Sequence, residues 1–357
     1  MKKIRLIATL AVLAVLVAIA FWARGKVHFD FATFRQQLAH ADWRYLVAAI
    51  LCIYVGYFFR STRWAWLMRH TKKVPPLSLM GPQIIGFTGV AILGRFADLT
   101  RLYLCAKKTG VPVTGQAGVY VVERLFDLGA MAVFISGAVL LLPPGSLPHP
   151  DAVERVRHWF LVATTIGVVF VVTVRFAGEM TARFFEHVFG LFSKKLGHSV
   201  GQKLRIFHDG MNTVRSFADF GVAAGLSLVM WFTILMAYYE TTHAFRADPI
   251  LRSMSMAGCM VILACSAGAS FLQMPVVAWF TQIGILAVFI HGIFGVETEA
   301  AWACSTMLLV DTFLCVLPVG LIWAQFEHVD LRKIAVESEH AGEELADIDP
   351  LHKEAAK

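Results

Sequence analysis

Leu93-Gly94-Arg95-Phe96-Ala97-Asp98-Leu99-Thr100-Arg101, followed by Glu123-Arg124-Leu125-Phe126-Asp127, sets six ionisable side chains inside sequence otherwise apolar enough to lie in a bilayer. An Asp, Lys or Arg at the centre of a membrane helix costs roughly 2.5–3.5 kcal/mol on insertion scales, so such groups persist where they are paired or used. Ahead of them the apolar run from Leu77 to Gly94 is punctuated by Gly81-Pro82, Gly86, Gly89 and Gly94, and the stretch ends at Lys107-Lys108-Thr109-Gly110. Lys72 and Lys73 stand before it, so cationic residues flank both ends and breakers occupy the middle. That pattern predicts a helical hairpin entering and leaving on one face, rather than a span.

The rest of the chain supplies the membrane. Of its 357 residues 57% are hydrophobic and 16% charged, where about 25% charged is usual in a soluble domain, and the mean hydropathy is +0.65. Apolar runs near the roughly 20 residues a membrane helix needs, without the dyad alternation of barrel strands, predict an all-α polytopic membrane protein. Six full spans are expected: 6–23, 45–66, 115–142, 159–174, 220–239 and 300–326. The region 253–295, broken at Gln273-Met274-Pro275, reads either as a second hairpin or as two further spans, which gives an eight-span alternative.

Arg60, Arg63, Arg69, His70, Lys72 and Lys73 follow the second span closely, and Lys2, Lys3 and Arg5 precede the first. By the positive-inside rule both ends are cytoplasmic, and parity then puts the carboxyl terminus inside as well. If both broken segments are hairpins, they enter from opposite faces, as in an inverted repeat. The run from Leu6 to Ala23 reads as an uncleaved anchor rather than a signal peptide cut after Ala18-Ile19-Ala20, being long for a signal core and followed by further membrane sequence. Residues 1–326 thus form one membrane domain. Within it 175–219 is an amphipathic cytoplasmic segment, with Phe185, Phe189, Phe192 and Leu196 recurring at helical steps, and 327–357 is a polar tail.

The net charge of +7 gathers at ends and loops, which suits an anionic inner leaflet, and the sequence carries no nucleic-acid-binding motif. None of the six cysteines forms a Cys-x-x-Cys pair, and each reads as a small core residue. The sequence also lacks a nucleophile elbow, a phosphate-binding Walker loop, a His-Glu-x-x-His helix and metal-spaced ligands. No cofactor, metal or enzymatic activity is therefore expected.

In a helix Glu123 and Asp127 share a face and Arg124 lies close by on the same stripe, with Glu123 roughly 12 Å and Asp127 about 18 Å from the helix start near Gly115. In the hairpin Arg95, Asp98 and Arg101 recur every third residue, so Asp98 reaches either arginine. Three arginines balance three carboxylates. Such a set serves as a closed ion-pair network fixing the hairpin to the next span, or as a headgroup site in which arginine grips phosphate and a carboxylate receives an ammonium. In the second case Gly86, Gly89 and Gly94 let backbone approach the headgroup, and Lys107 with Lys108 attracts it at the surface. Asp311, about 11 residues into the last span, reads as a proton site or as the partner of an arginine. His291, Gln273 and Gln282 read as interhelical hydrogen-bonding residues.

The pattern Gly94-Arg95-x-Ala97-Asp98-x-x-Arg101, then Glu123-Arg124-x-x-Asp127, resembles the flippase-like membrane domain found fused to bacterial lysylphosphatidylglycerol synthases and also occurring as stand-alone proteins. That family shows Gly-Arg-x-Gly-Glu-x-x-Arg and Glu-Arg-x-x-Asp, so Ala97 and Asp98 keep shape and charge. Its Pro-Gly-Gly-x-Gly-x-x-Glu run differs here, where Pro275 precedes Val276-Val277-Ala278-Trp279. The resemblance implies a translocase that moves a phospholipid or other polar lipid across the inner membrane, without aminoacyl-transfer chemistry. Its substrate-binding residues would be Arg95, Asp98, Arg101, Glu123, Arg124, Asp127, Lys107, Lys108 and Asp311. The alternatives are a non-transporting partner presenting lipid to a glycosyltransferase or other envelope-biosynthesis enzyme, docked through 175–215, and a membrane-embedded lipid-modifying enzyme.

Overall fold

A computed structural model of the chain describes residues 30–93, 98–142, 179–190, 216–270 and 278–327, with isolated positions at 158, 162, 165, 173, 198 and 201. Apart from those isolated positions, the expected spans at 6–23 and 159–174, the hairpin tip with Arg95, the Gln273-Met274-Pro275 break and the polar tail beyond Glu327 lie outside the described residues. So does most of the amphipathic segment. Its described part, 179–190, is helical, with Phe185 and Phe189 stacked at 6.2 Å.

Among the described residues every regular element is a helix. In chain order these are α1 (Phe31–Ala39), α2 (Trp43–Met68), α3 (Pro76–Leu93), α4 (Asp98–Thr109), α5 (Val113–Leu141), α6 (Phe217–Ala244), α7 (Met256–Ala269), α8 (Ala278–Phe294), α9 (Thr298–Leu309) and α10 (Val316–Phe326). A π-helical turn, Val310–Leu314, joins α9 to α10 so that Thr298–Phe326 runs as one span. Together with α2, α5 and α6 it makes four helices long and apolar enough to cross a membrane, as expected for four of the six spans.

Local chemistry starts these helices where they start. Asp42 caps α2 through the N–H of Arg44, Ser216 caps α6 through Asp219, and Ser255 caps α7 through Gly258. At α1 the Thr33 hydroxyl and the Ala32 N–H both donate to Asp30, and they hold its carboxyl below the usual carboxylate range. Pro76 opens α3, a position that tolerates a missing N–H.

Helices α2 and α6 run antiparallel along most of their length. The Asp42 N–H donates to the Ala244 carbonyl at 2.9 Å at one end, and Arg69 and His70 meet Asp219 at the other. Val47, Leu51, Val55 and Phe58 form an exposed stripe along α2, and Leu128, Val133 and Leu140 one along α5. Apolar stripes of that extent belong in lipid. Charge and polar groups face inward instead, the reverse of a water-soluble bundle.

Helices α3 and α4 pack against each other between α2, α5 and α10. Lys72, before α3, donates to the Thr109 carbonyl at the end of α4 at 2.6 Å, so the two outer ends lie side by side. Glycine sets how tightly the pair closes: a Cβ on Gly86 would stand 2.7 Å from the Cβ of Arg101. On its other side α3 meets α10 at Gly320, where a Cβ would collide with Thr88.

Candidate functional site

Helix α5 carries its carboxylates on one stripe, and the packing turns that stripe against α2 and α4. Glu123 is 1% exposed and Asp127 7%. Glu123 Oε1 accepts from Arg63 Nη2 at 2.8 Å and from Arg60 Nη1 at 3.3 Å, both on α2. It also accepts from Arg101 Nη1 on α4 at 3.3 Å, while Arg101 Nη2 lies 3.0 Å from Oε2. Asp127 Oδ1 accepts from Arg63 Nη1 at 2.8 Å and from the Trp231 indole at 3.1 Å, and Ser227 accepts a second bond from Arg63 Nη1 at 2.7 Å. Four helices therefore converge on two carboxylates.

Arg101 is fully buried, and a cage explains how the fold tolerates it. Gln83 on α3 accepts from its Nη1 at 3.0 Å, and its guanidinium carbon lies 5.0 Å from the Trp64 ring, 5.1 Å from Phe87 and 5.3 Å from Tyr120. Asp98, a turn earlier on α4, stands 3.6 Å from Arg101 and accepts the Tyr120 hydroxyl. Arg124 is half-buried, 3.2 Å from Asp127, and lies over Tyr120 at 5.1 Å. Trp64 donates to Gln116, which donates to Thr109, so neutral bonds tie α2, α5 and α4 together beside the ions.

The structure thus brings Asp98, Arg101, Glu123, Arg124 and Asp127 together, and it leaves Lys107, Lys108 and Asp311 apart. Lys107 and Lys108 are exposed at the end of α4, where Lys108 pairs with Glu327 at 2.8 Å. Asp311 sits on the π-helical turn and accepts the Thr241 hydroxyl at 2.7 Å. Of the two readings of Asp311, the partner of an arginine is not met among the described residues, where the hydroxyl of Thr241 on α6 faces it. Gln282 donates to Ser266 at 3.1 Å and His291 Nδ1 lies 2.7 Å from the Val296 carbonyl, as interhelical or local bonding partners.

Two sequence expectations change. Arg60 and Arg63 are buried members of the cluster, 8% and 0% exposed, rather than cytoplasmic flanking charges. Helix α2 continues eight residues beyond Arg60 to Met68, about 12 Å, so both arginines lie inside the span end. Gly86, in turn, makes room for Arg101 of the chain itself rather than for a headgroup.

With Arg60 and Arg63 included, the cluster is no longer neutral. Arg60, Arg63, Arg101 and Arg124 stand against Asp98, Glu123 and Asp127, four positive charges to three negative among the described residues. Buried donors are also in surplus: Arg63 Nε, Arg101 Nε, Arg124 Nε and Gln83 Nε2 have no hydrogen-bond acceptor among the described residues. Such a site can hold an anion.

The family model for the lysylphosphatidylglycerol synthase TM region matches residues 6–320 of this chain. The chain belongs to that family. The match covers both the charged cluster and the second half, so the family's membrane region takes in every described helix from α1 to α9 and the start of α10. No curated protein and no solved structure matches the chain. Among the described residues there is no grouping of His, Cys, Asp and Glu able to hold a metal ion.

Proposed function

We propose that this protein moves a phosphate-bearing lipid between the leaflets of the bacterial inner membrane, and that the buried arginine cluster receives the headgroup. The observation that carries the reading is the surplus of buried positive charge and of unaccepted guanidinium donors at one place in the bundle. Leaving such donors unpaired costs about 1–3 kcal/mol each, and a phosphate satisfies several at once through forked bonds. Helices α3 and α4 form a re-entrant hairpin in this reading, and Gly86 holds its two arms close enough to present Arg101 inward. Lys107 and Lys108 draw the headgroup to the mouth by surface attraction.

Binding and passage are the whole of the assigned role; no catalytic step falls to the cluster. The test is leaflet exchange in liposomes containing the purified full chain, with labelled phospholipids of different headgroups. Exchange of at least one phosphate-bearing lipid, lost in Arg101→Gln at equal protein incorporation, is the expected result. Retained lipid binding with no exchange of any lipid would instead favour a partner that presents lipid to an envelope-biosynthesis enzyme.

A further inference from the structure

The π-helical turn Val310–Leu314 interrupts the last span and carries Asp311 into the bundle at 1% exposure. Single π turns inside α-helices recur at functional sites. The Cys315 N–H donates to the Val310 carbonyl, five residues back, at 2.8 Å, so the backbone ladder slips by one residue here and carbonyls take side-chain partners. The Cys315 thiol donates to the Asp311 carbonyl, and the Tyr54 hydroxyl of α2 donates to the Cys315 carbonyl at 2.8 Å. The turn is thus held from within and from α2.

Five helices, α2, α3, α6, α9 and α10, pack against the turn. Helices α3 and α10 carry no ionisable residue. From the others come Tyr54 on α2, Tyr238, Glu240 and His243 beside Thr241 on α6, and Cys304 on α9, with Cys315 next along the chain. His243 Nδ1 lies 2.8 Å from the Tyr239 carbonyl, and its ring stacks on Tyr239 at 3.9 Å. Arg60, the next arginine along α2 from Tyr54, donates to Glu123 at 3.3 Å. An ionised Asp311 therefore has a hydroxyl beside it and no counter-charge among the described residues.

That hydroxyl has two acceptors. Thr241 Oγ1 lies 2.7 Å from Asp311 Oδ2 and 2.8 Å from the Ala237 carbonyl, one turn earlier on α6. A threonine has one proton for the two of them. With Asp311 ionised, Thr241 donates to the carboxylate and gives up the carbonyl. With Asp311 protonated, the acid donates to Thr241 and Thr241 donates to Ala237, so both contacts are filled and no charge is buried. The same heavy-atom positions serve both states, which differ by one proton released from Asp311 to water and one hydroxyl turned.

The turn also reaches towards the arginine cluster. Thr312 and Phe313 line a cavity of about 160 Å³ between α2, α6, α7 and α8, and Arg60 lines the same cavity. Loss of the proton puts a negative charge on the turn that forms one wall, opposite a guanidinium in another. We propose that Asp311 is a proton-binding site and that proton binding there is coupled to passage through the bundle. The proton site stands on the hydrogen-bond geometry alone; the coupling rests on the reading of the bundle as a lipid translocase, and it adds a driving ion.

Difference infrared spectroscopy of the purified full chain in detergent, between mildly acidic and alkaline buffer, reads the proton directly as the C=O stretch of a carboxylic acid. Wild type is expected to show a band that Asp311→Asn lacks. Thr241→Val is expected to keep that band and move it to higher frequency, because the acid loses its hydrogen-bond acceptor. Identical bands in wild type and Asp311→Asn, or a band that Thr241→Val leaves in place, overturn the site. Leaflet exchange of fluorescently labelled phospholipids in liposomes under an imposed pH gradient tests the coupling. Wild type is expected to exchange severalfold faster than at equal pH, and Asp311→Asn to ignore the gradient. An equal response in both, or none in wild type, overturns the coupling. No exchange at any pH, with the infrared band intact, would remove translocation and leave Asp311 standing as a proton site.

Discussion

The α2–α4–α5 side of the bundle and the α6–α8 side solve the same problem in opposite ways. Both keep polar side chains inside helices that face lipid on their outer surfaces. On the first side seven ionised groups crowd together, and each carboxylate of α5 is shared among several arginines. On the second, Tyr238, Ser266 and Gln282 form a short neutral chain, and Asp311 has a hydroxyl partner. Ionic networks in low dielectric are costly when incomplete, so the first side is committed to its full membership. Neutral bonds tolerate loss better, so the second side is free to vary with what it contacts.

Breaking the comparison at its strongest point gives the largest effect. Glu123→Gln removes the carboxylate that Arg60, Arg63 and Arg101 share, and leaves those charges buried without compensation. A loss of about 3–5 kcal/mol is expected, seen as a sharp fall in thermal stability in detergent and in the yield of monodisperse protein. Gly86→Val acts on the same side by volume alone. Its added carbons would press into Arg101 and part α3 from α4, at about 1–3 kcal/mol for an overpacked contact. Because Gly86 bears no charge, a loss of lipid binding in this variant would show that the position of Arg101 matters, and not the charge count alone.

The second side sharpens the contrast by responding weakly. Asp311→Asn keeps an oxygen for the Thr241 hydroxyl and removes a charge with no cationic partner among the described residues. A change within about 1 kcal/mol is expected, read from the same thermal denaturation series. A loss as large as that of Glu123→Gln would mean that Asp311 belongs to a charged network of its own, and the two sides would no longer differ in kind.

Much of the first side is legible in the amino-acid sequence. The Glu123-Arg124-x-x-Asp127 stripe needs only helical periodicity, whereas the expected breakers Gly81, Pro82, Gly86 and Gly89 mark no break, because all four lie inside the continuous helix α3. Arg60 and Arg63 are not legible in the same way. Their charge reads as a flanking signal when judged by neighbours in sequence, whereas their partner Glu123 lies about 60 residues away on α5. Gly86 misleads for a related reason: sequence shows that a side chain is missing, not what fills the space.

The amino-acid sequence by itself therefore determined the class of the molecule, its long spans and the residues of one charged stripe, because hydropathy and helical period are local properties. The sign of the buried cluster and the cavity beside it were decided by tertiary structure alone. Net charge at a site is a sum over helices that meet in space, and a cavity exists only where their surfaces fail to fill the gap between them.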